Sequence, residues 1–215
     1  MKLIVCTLHG RNLTPEWAGS MLNLAYNPVA ETIIWLEQGL YIHRSRNEVF
    51  MRAQDKKDFD GLLFIDSDIA FTPMNVKQLI ESPYDVTTGI YLNRWNGLPI
   101  VYNWSKGTNK RKMDAILLTE LGETPFKVDI CGAGFLFIKR PVLERFTKSV
   151  IKRLGLPFDH IKMDGTFFGE DMSFCYRLGQ LDIPVYCDPN IRVCHVGHHV
   201  LHGDGRIEAL VSEES

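Results

Sequence analysis

The segment Leu62-Leu-Phe-Ile-Asp-Ser-Asp-Ile-Ala-Phe-Thr-Pro73 carries the densest chemical signal in this chain. Four apolar residues run directly into two carboxylates, Asp66 and Asp68, with only Ser67 between them. The apolar run has the length and content of a strand buried on both faces. The acids then sit where such a strand ends, the edge at which open α/β sheets bind ligands. Side chains alternate along a strand, so Asp66 and Asp68 are expected on the same side. Two carboxylates presented together near phosphate-sized ligands suit a hard divalent cation, Mg²⁺ or Mn²⁺. The competing reading is a polar strand end before a helix start at Thr72-Pro73. Against it, two acids behind a buried strand cost free energy unless paired.

A second carboxylate pair lies in Phe167-Phe-Gly-Glu-Asp-Met-Ser-Phe-Cys-Tyr-Arg-Leu178, which places Glu170 and Asp171 in the first turn of a helix. Asp171 shares a face with Phe174, Cys175 and Leu178, so it points towards the protein body, whereas Glu170 can look outward. An acid at a helix N-terminus is stabilised as its anion, which leaves it ready to accept a proton, though with modest basicity. The plain alternative is a first-turn acid that complements the helix dipole. His195 follows 24 positions after Asp171, and a neutral imidazole at a strand end can ligate a metal. His198, His199 and His202 make the next segment histidine-rich, which also fits a solvated tail or an adventitious metal site. Zinc held by Cys187, Cys194 and His195 lacks the spacing of structural zinc sites.

These groups need a scaffold, and 215 residues suffice for one sizeable core. Apolar content of 45% and charged content of 23% are ordinary for a soluble globular chain. The formal net charge of −2 gives no bulk attraction to polyanions. The basic loop Lys106-Gly-Thr-Asn-Lys-Arg-Lys112 is the local exception and could touch phosphates. Five cysteines without C-x-x-C spacing argue for reduced thiols, with Cys6, Cys131 and Cys175 as core filler. No apolar run reaches transmembrane length, and Met1–Cys6 is too short for a signal sequence, so a cytoplasmic protein is expected.

The pattern predicts strands at Lys2–Thr7, Thr32–Leu36 and Leu62–Ile65, with helices over Trp17–Tyr26, Arg46–Lys57 and from Thr72-Pro73 to before Pro83. Ser45-Arg-Asn-Glu48 reads as a capping box for the second helix. Alternating strands and helices imply a largely parallel sheet with right-handed crossovers. Thereafter Asp85–Leu92, Pro99–Trp104, Met113–Leu118 and Phe126–Lys139 read as strands without long helices between them. Helices over Pro141–Leu154 and within Gly169–Leu181, then short strands Val185–Cys187 and Ile191–His195, complete a mixed or antiparallel second half. With no linker in sight, the α/β chain is expected to be a single domain.

The ordered set resembles GT-A-fold glycosyltransferases, most closely the small family-2-like, nucleotide-sugar-dependent branch found in bacteria and large viruses. The set comprises an Arg-Asn helix start, an apolar strand into D-x-D, Gly132-Ala-Gly134 before a strand, Gly-Glu-Asp171 and the late His195. The resemblance runs from about residue 2 to 197. It implies a Rossmann-like nucleotide-binding half over residues 1–105, an acceptor half over 106–200, and a tail over 201–215. Asp68 resembles the metal-binding carboxylate, Asp66 (with Ser67 beside it) its helper through ribose or a metal-bound water, and His195 the late metal ligand. Asp171, with Glu170 beside it, is similar to the general base of inverting enzymes. Thr7, Arg44, Arg46 and Asn47 match regions that hold the nucleotide. Gly132 and Gly134 resemble the loop where backbone approaches donor sugar or acceptor. The implied reaction moves a sugar from a UDP-sugar, with Mn²⁺ or Mg²⁺, to a glycan, protein, lipid-linked sugar or modified nucleobase. Trp95 and Trp104 flank a Gly/Pro turn where an indole could face an acceptor sugar, or simply pack a hairpin. The loop from His9 to Glu16 matches no pattern of the family. Two rival readings remain. One is a haloacid-dehalogenase-type phosphatase with Asp66 as nucleophile, although Ala70 stands where that family places Thr or Val. The other is a non-catalytic nucleotide-sugar or glycan-binding module.

Overall fold

Apolar runs of five or six residues build the centre of the fold. The computed structural model describes residues 1–10, 12–106, 112–163, 165–197 and 199–209. Strand β1 (Lys2–His9) is followed by α1 (Pro15–Tyr26), whose N-cap Thr14 accepts from the Trp17 N–H. Next come β2 (Glu31–Gln38), α2 (Ile42–Asp55), the wholly buried β3 (Gly61–Ile65) and the two-residue β4 (Ile69–Ala70). Helix α3 (Pro73–Glu81) starts from a reciprocal Thr72–Asn75 capping box and leads to β5 (Val86–Ile90). The second half contains β6 (Val101–Trp104), β7 (Met113–Ala115), β8 (Phe126–Val128), β9 (Ile130–Cys131) and β10 (Phe135–Lys139). Helices α4 (Arg140–Arg145) and α5 (Lys148–Leu154), the hairpin β11 (Ile161–Met163) and β12 (Thr166–Phe168), and α6 (Glu170–Gly179) come next. Strands β13 (Val185–Arg192), β14 (Cys194–Val196), β15 (His199–Leu201) and β16 (Ile207–Ala209) close the described chain.

The central sheet has the order β2-β1-β3-β10-β5-β13-β8. Strands β2, β1, β3, β5 and β13 run one way, and β10 and β8 run against them. The fold is thus α/β, with a mostly parallel first half and a mixed second half. Alternation along β1 and β3 feeds two cores: Ile4, Cys6, Leu62 and Phe64 on one face, Leu3, Val5, Leu63 and Ile65 on the other. Each of those large side chains contributes about 1.5–3 kcal/mol by leaving water.

One insertion positions the site. Because β10 runs antiparallel between β3 and β5, its first residue Phe135 pairs with Ile65, the last of β3. The loop Gly132–Gly134 therefore lands beside Asp66, whose N–H donates to the Gly134 carbonyl at 2.9 Å.

Several expected boundaries shift for identifiable reasons. Helix α2 starts at Ile42 with Tyr41 as its N-cap, and Ser45 makes no cap. Ser45, Arg46 and Asn47 are instead buried inside the helix, facing the protein. The helix expected over Pro141–Leu154 breaks in two because Phe146 is wholly buried at the junction and Thr147 caps the second piece, α5. Phe126–Lys139 divides into three strands, of which β9 joins β6 and β7 in a separate three-stranded sheet. Part of the expected tail pairs as β15 and β16, in a four-stranded sheet with β14 and β4. The β11–β12 hairpin had no clear signal in the sequence.

Among the described residues no helix is long and apolar enough to cross a membrane. All five cysteines are free thiols, four of them buried. Residues 107–111 of the basic loop and His198 lie outside the described residues.

Candidate functional site

The polypeptide leaves β3 in a turn, with the Ile69 N–H donating to the Asp66 carbonyl at 3.1 Å. Strand alternation therefore does not extend through Asp68, and the two carboxylates part company. Asp66 turns to Arg46, whose Nη2 lies 3.1 and 3.2 Å from its two oxygens. Arg46 is 1% exposed, donates from Nη1 to the Ala133 carbonyl at 2.8 Å, and lies over the Phe64 and Phe158 rings. Burial works against its charge, but Asp66, Asp171 and Glu170 outweigh that and hold its proton more firmly than usual. Burial also pushes the Asp66 carboxyl up, with Arg46 pulling part of the way back.

Asp68 faces His195 and Arg94. The His195 Nε2 and Arg94 Nη1 lie 3.3 and 3.1 Å from the same Asp68 oxygen. Strand register fixes the first contact: His195 of β14 pairs with Ile69 of β4, and the Val196 N–H donates to the Asp68 carbonyl at 2.7 Å. The His195 Nδ1 lies 2.8 Å from the Leu92 carbonyl, which can only accept, so Nδ1 carries a proton. In a neutral ring the Nε2 lone pair then faces a carboxylate oxygen, an arrangement that calls for a cation between them. An imidazole nitrogen and a carboxylate oxygen are donors that would hold a divalent ion here. A proton serves equally: burial disfavours the imidazolium, but the Asp68 hydrogen bond and charge raise its pKa overall. Burial likewise raises Asp68, but His195 and Arg94 overcome it and lower its pKa. The expected trio is not assembled. Among the described residues no three His, Cys, Asp or Glu side chains converge on a metal position, because Asp66 is held by Arg46.

Asp171 opens α6 beneath this edge, on the face it shares with buried Phe174, Cys175 and Leu178. Its Oδ1 is buried without a hydrogen-bond partner, and the nearby Arg46 Nε, 3.9 Å away, is equally unpartnered. Burial pushes the carboxyl up to about 7, Arg46 draws it down, and Glu170 and Asp66 add to the rise. Desolvation thus overrides the helix-dipole effect, and Asp171 is a stronger base than its helical position alone implies. Glu170 does not look outward; its side chain is 18% exposed and lines the same cavities as Asp171.

Two clefts meet along the sheet edge. One of about 230 Å³ runs from Leu8, His9 and Glu37 to Asp66, Ser67 and Asp68. Another of about 180 Å³ gathers Arg46, Asp68, Arg94, Glu170, Asp171 and His195. Ser67 lines the first, while its carbonyl accepts from the Thr14 N–H and hydroxyl. Other expected residues serve elsewhere. Thr7 is wholly buried and accepts from the Trp17 indole N–H at 3.1 Å. Asn47 tethers Asp159 and the Phe158 N–H. Arg44 is exposed and lies over the Tyr41 ring. The Gly132–Gly134 loop makes room for Tyr91: a Cβ on Gly132 would stand 2.2 Å from the Tyr91 hydroxyl, which accepts from the Gly134 N–H. Trp95 is 88% exposed at the rim of the second cleft. Trp104 packs on Phe168 and lines a different cavity, of about 440 Å³, that contains none of these acids. Arg94 and Tyr91 are the residues that sequence reasoning missed. They lie just after β5, which ends at the same sheet edge as β3, so topology was the available signal.

No protein-family model matches the chain, and no curated protein matches it by sequence. Solved structures do match. A197 from STIV superposes with a TM-score of 0.65 at 18% identity, over 100% of this chain and 97% of that one. GalNAc-T7 with UDP, GalNAc and Mn²⁺ gives 0.56 at 11% identity, over 87% of this chain and 42% of that one. The fold is glycosyltransferase-like. A Drosophila β1,4-galactosyltransferase 7 mutant in complex with manganese, UDP-Gal and xylobiose gives 0.50 at 12% identity, over 88% of this chain and 66% of that one. The chain therefore spans under half of the GalNAc-T7 chain and about two thirds of the Drosophila one.

Proposed function

We propose that this protein transfers a sugar from a nucleoside-diphosphate donor, a UDP-sugar, to an acceptor hydroxyl with inversion at the anomeric carbon. The observation that carries this reading is that Asp171, a half-buried carboxyl pushed up to about 7 by desolvation, opens on the same cleft as the Asp68–His195 pair. The cleft from Leu8 and His9 to Asp68 receives the nucleoside, and Arg94 with the Asp68–His195 pair faces the diphosphate. A Mn²⁺ or Mg²⁺ ion held by Asp68 and His195 would neutralise charge on the departing diphosphate. Asp171 takes the proton of the acceptor hydroxyl as its oxygen bonds the anomeric carbon. The bond from that carbon to the diphosphate oxygen breaks, and its electron pair leaves with the diphosphate. Arg46 keeps Asp66 and Asp171 apart and anionic on demand, a positioning role.

The phosphatase reading needs a free Asp66 nucleophile, whereas both Asp66 oxygens are engaged by Arg46. A pure binding module gives no role to a carboxyl whose pKa is raised where it opens on the cleft. Isothermal titration with UDP, with and without Mn²⁺, tests the proposal. Metal-enhanced binding that disappears in Asp68→Ala is expected. A folded protein that binds no nucleoside diphosphate under either condition overturns it.

A further inference from the structure

Two cavities of opposite character share a wall at Asp171. Ile100, Glu170 and Asp171 line both. On one side lies the charged cleft with Arg46, Asp68, Arg94 and His195. On the other is a cavity of about 200 Å³ lined by Ile100, Tyr102, Met113, Ile130, Cys131 and Met172, where the two shared acids are the only charged groups among the described residues. Its floor is firm: Ile130 and Cys131 are each 1% exposed, and β9 is hydrogen-bonded to β6.

An apolar cavity of about 150 Å³ accommodates a benzene ring, so this one has room for a ring with a one-carbon substituent. A bare sugar fits it poorly, because each hydroxyl entering an apolar wall loses hydration without gaining a partner. The Tyr102 hydroxyl, a polar group in that wall, is already engaged by Asn93. At the shared wall Asp171, whose side chain is 30% exposed, lines both cavities, so a hydroxyl at the mouth of the apolar one meets its carboxylate.

We infer that the acceptor is an alcohol carried on a flat apolar ring, of the aryl-methanol type, seated in this cavity with its hydroxyl on Asp171. The inference rests on the transferase reading above and specifies its acceptor class. The ring fills the apolar side, the hydroxyl proton passes to Asp171, and the oxygen bonds the anomeric carbon presented from the charged side as the diphosphate leaves. Acidic acceptors are excluded by Glu170 and Asp171 at the rim.

The test is saturation-transfer NMR on the full chain with UDP and Mn²⁺ present, using benzyl alcohol and methyl glucoside as probes. Saturation of the benzyl ring protons, with none on the glucoside, is expected. Met113→Glu and Met172→Glu, on separate elements, each place a charge in the apolar wall and should weaken benzyl alcohol at least about tenfold. Circular dichroism and thermal unfolding establish that each variant is folded. Equal saturation of the glucoside, no saturation of either probe, or a benzyl signal that persists in a folded variant overturns the inference. Calorimetry with UDP on the same wild-type sample separates the two levels. UDP binding without benzyl saturation sinks the acceptor class alone. A folded protein that ignores UDP sinks the transferase reading, and the acceptor role with it.

Discussion

Arg46→Met should be the most damaging single change among the cleft residues, and its cost can be worked from the contacts. The guanidinium makes three hydrogen bonds, to both Asp66 oxygens at 3.1 and 3.2 Å and to the Ala133 carbonyl at 2.8 Å. Methionine retains most of the packing between Phe64 and Phe158, so the loss isolates the polar contribution. It leaves Asp66 without a counter-charge and the Ala133 carbonyl without its donor. Removing one partner of a buried ion pair costs about 3–5 kcal/mol. For a domain of this size each kcal/mol lowers Tm by about 2–4 °C, which gives a drop of roughly 6–20 °C. Thermal and urea unfolding of the wild type, Arg46→Met, Asp66→Asn and the double variant complete the cycle. The double variant, with both charges gone, should recover at least about 1 kcal/mol relative to the summed single costs. Costs that simply add, within about 0.5 kcal/mol, would refute the claim that Arg46 exists to hold Asp66.

Asp171→Asn should lower turnover by about 10²–10⁴ while leaving UDP bound, as initial rates and calorimetry would show. It should also stabilise the fold, with a definite pH signature. The carboxyl sits at about 7 in the fold and near 4 when unfolded, so the native chain keeps its proton longer. Stability from this group is therefore full below about pH 4 and lost as pH rises through 7. The Tm gain of the variant should grow across that window and then level off; a gain that shrinks with pH contradicts the assignment. His195→Ala and Asp68→Ala should each erase the difference between UDP titrations with and without Mn²⁺, and a difference that survives both excludes this pair as the cation site. Trp17→Phe should cost about 0.5–1.5 kcal/mol through the lost bond to Thr7, without weakening UDP binding. Weakened UDP binding there would return Thr7 to the nucleotide cleft.

The features legible in the sequence are those written in local signals. The run Leu62–Ile65 could only be a doubly buried strand, and its end fixes where Asp66 and Asp68 lie. Asp171 was legible because its helix face is written in Phe174, Cys175 and Leu178. The pairing of Arg46 with Asp66 was not legible, since it joins a helix to a strand end through tertiary packing. Arg46 and Asn47 have the residue types of nucleotide ligands, yet Arg46 is buried against Asp66 and Asn47 is spent on tethering a loop. The Ser45 capping box failed because burial of that turn, not its local cap, decides where α2 begins. Basicity at Asp171 also exceeded expectation, because desolvation depends on neighbours that arrive from α2, β3 and the loop before β10.

The place of β10 between β3 and β5 has a consequence for how the molecule is made. Strands β3 and β5 are consecutive members of the parallel set in sequence, yet they do not pair in the fold, because β10, made later, lies between them. Asp68 and His195, 127 residues apart, meet only when β14 closes on β4. At about 5–20 residues per second the ribosome needs roughly 6–25 s to cover that interval. During that time Asp68 lacks His195, and until β10 is made β3 has an open edge. The Asp68–His195 side of the cleft is therefore complete only once β14 has been made.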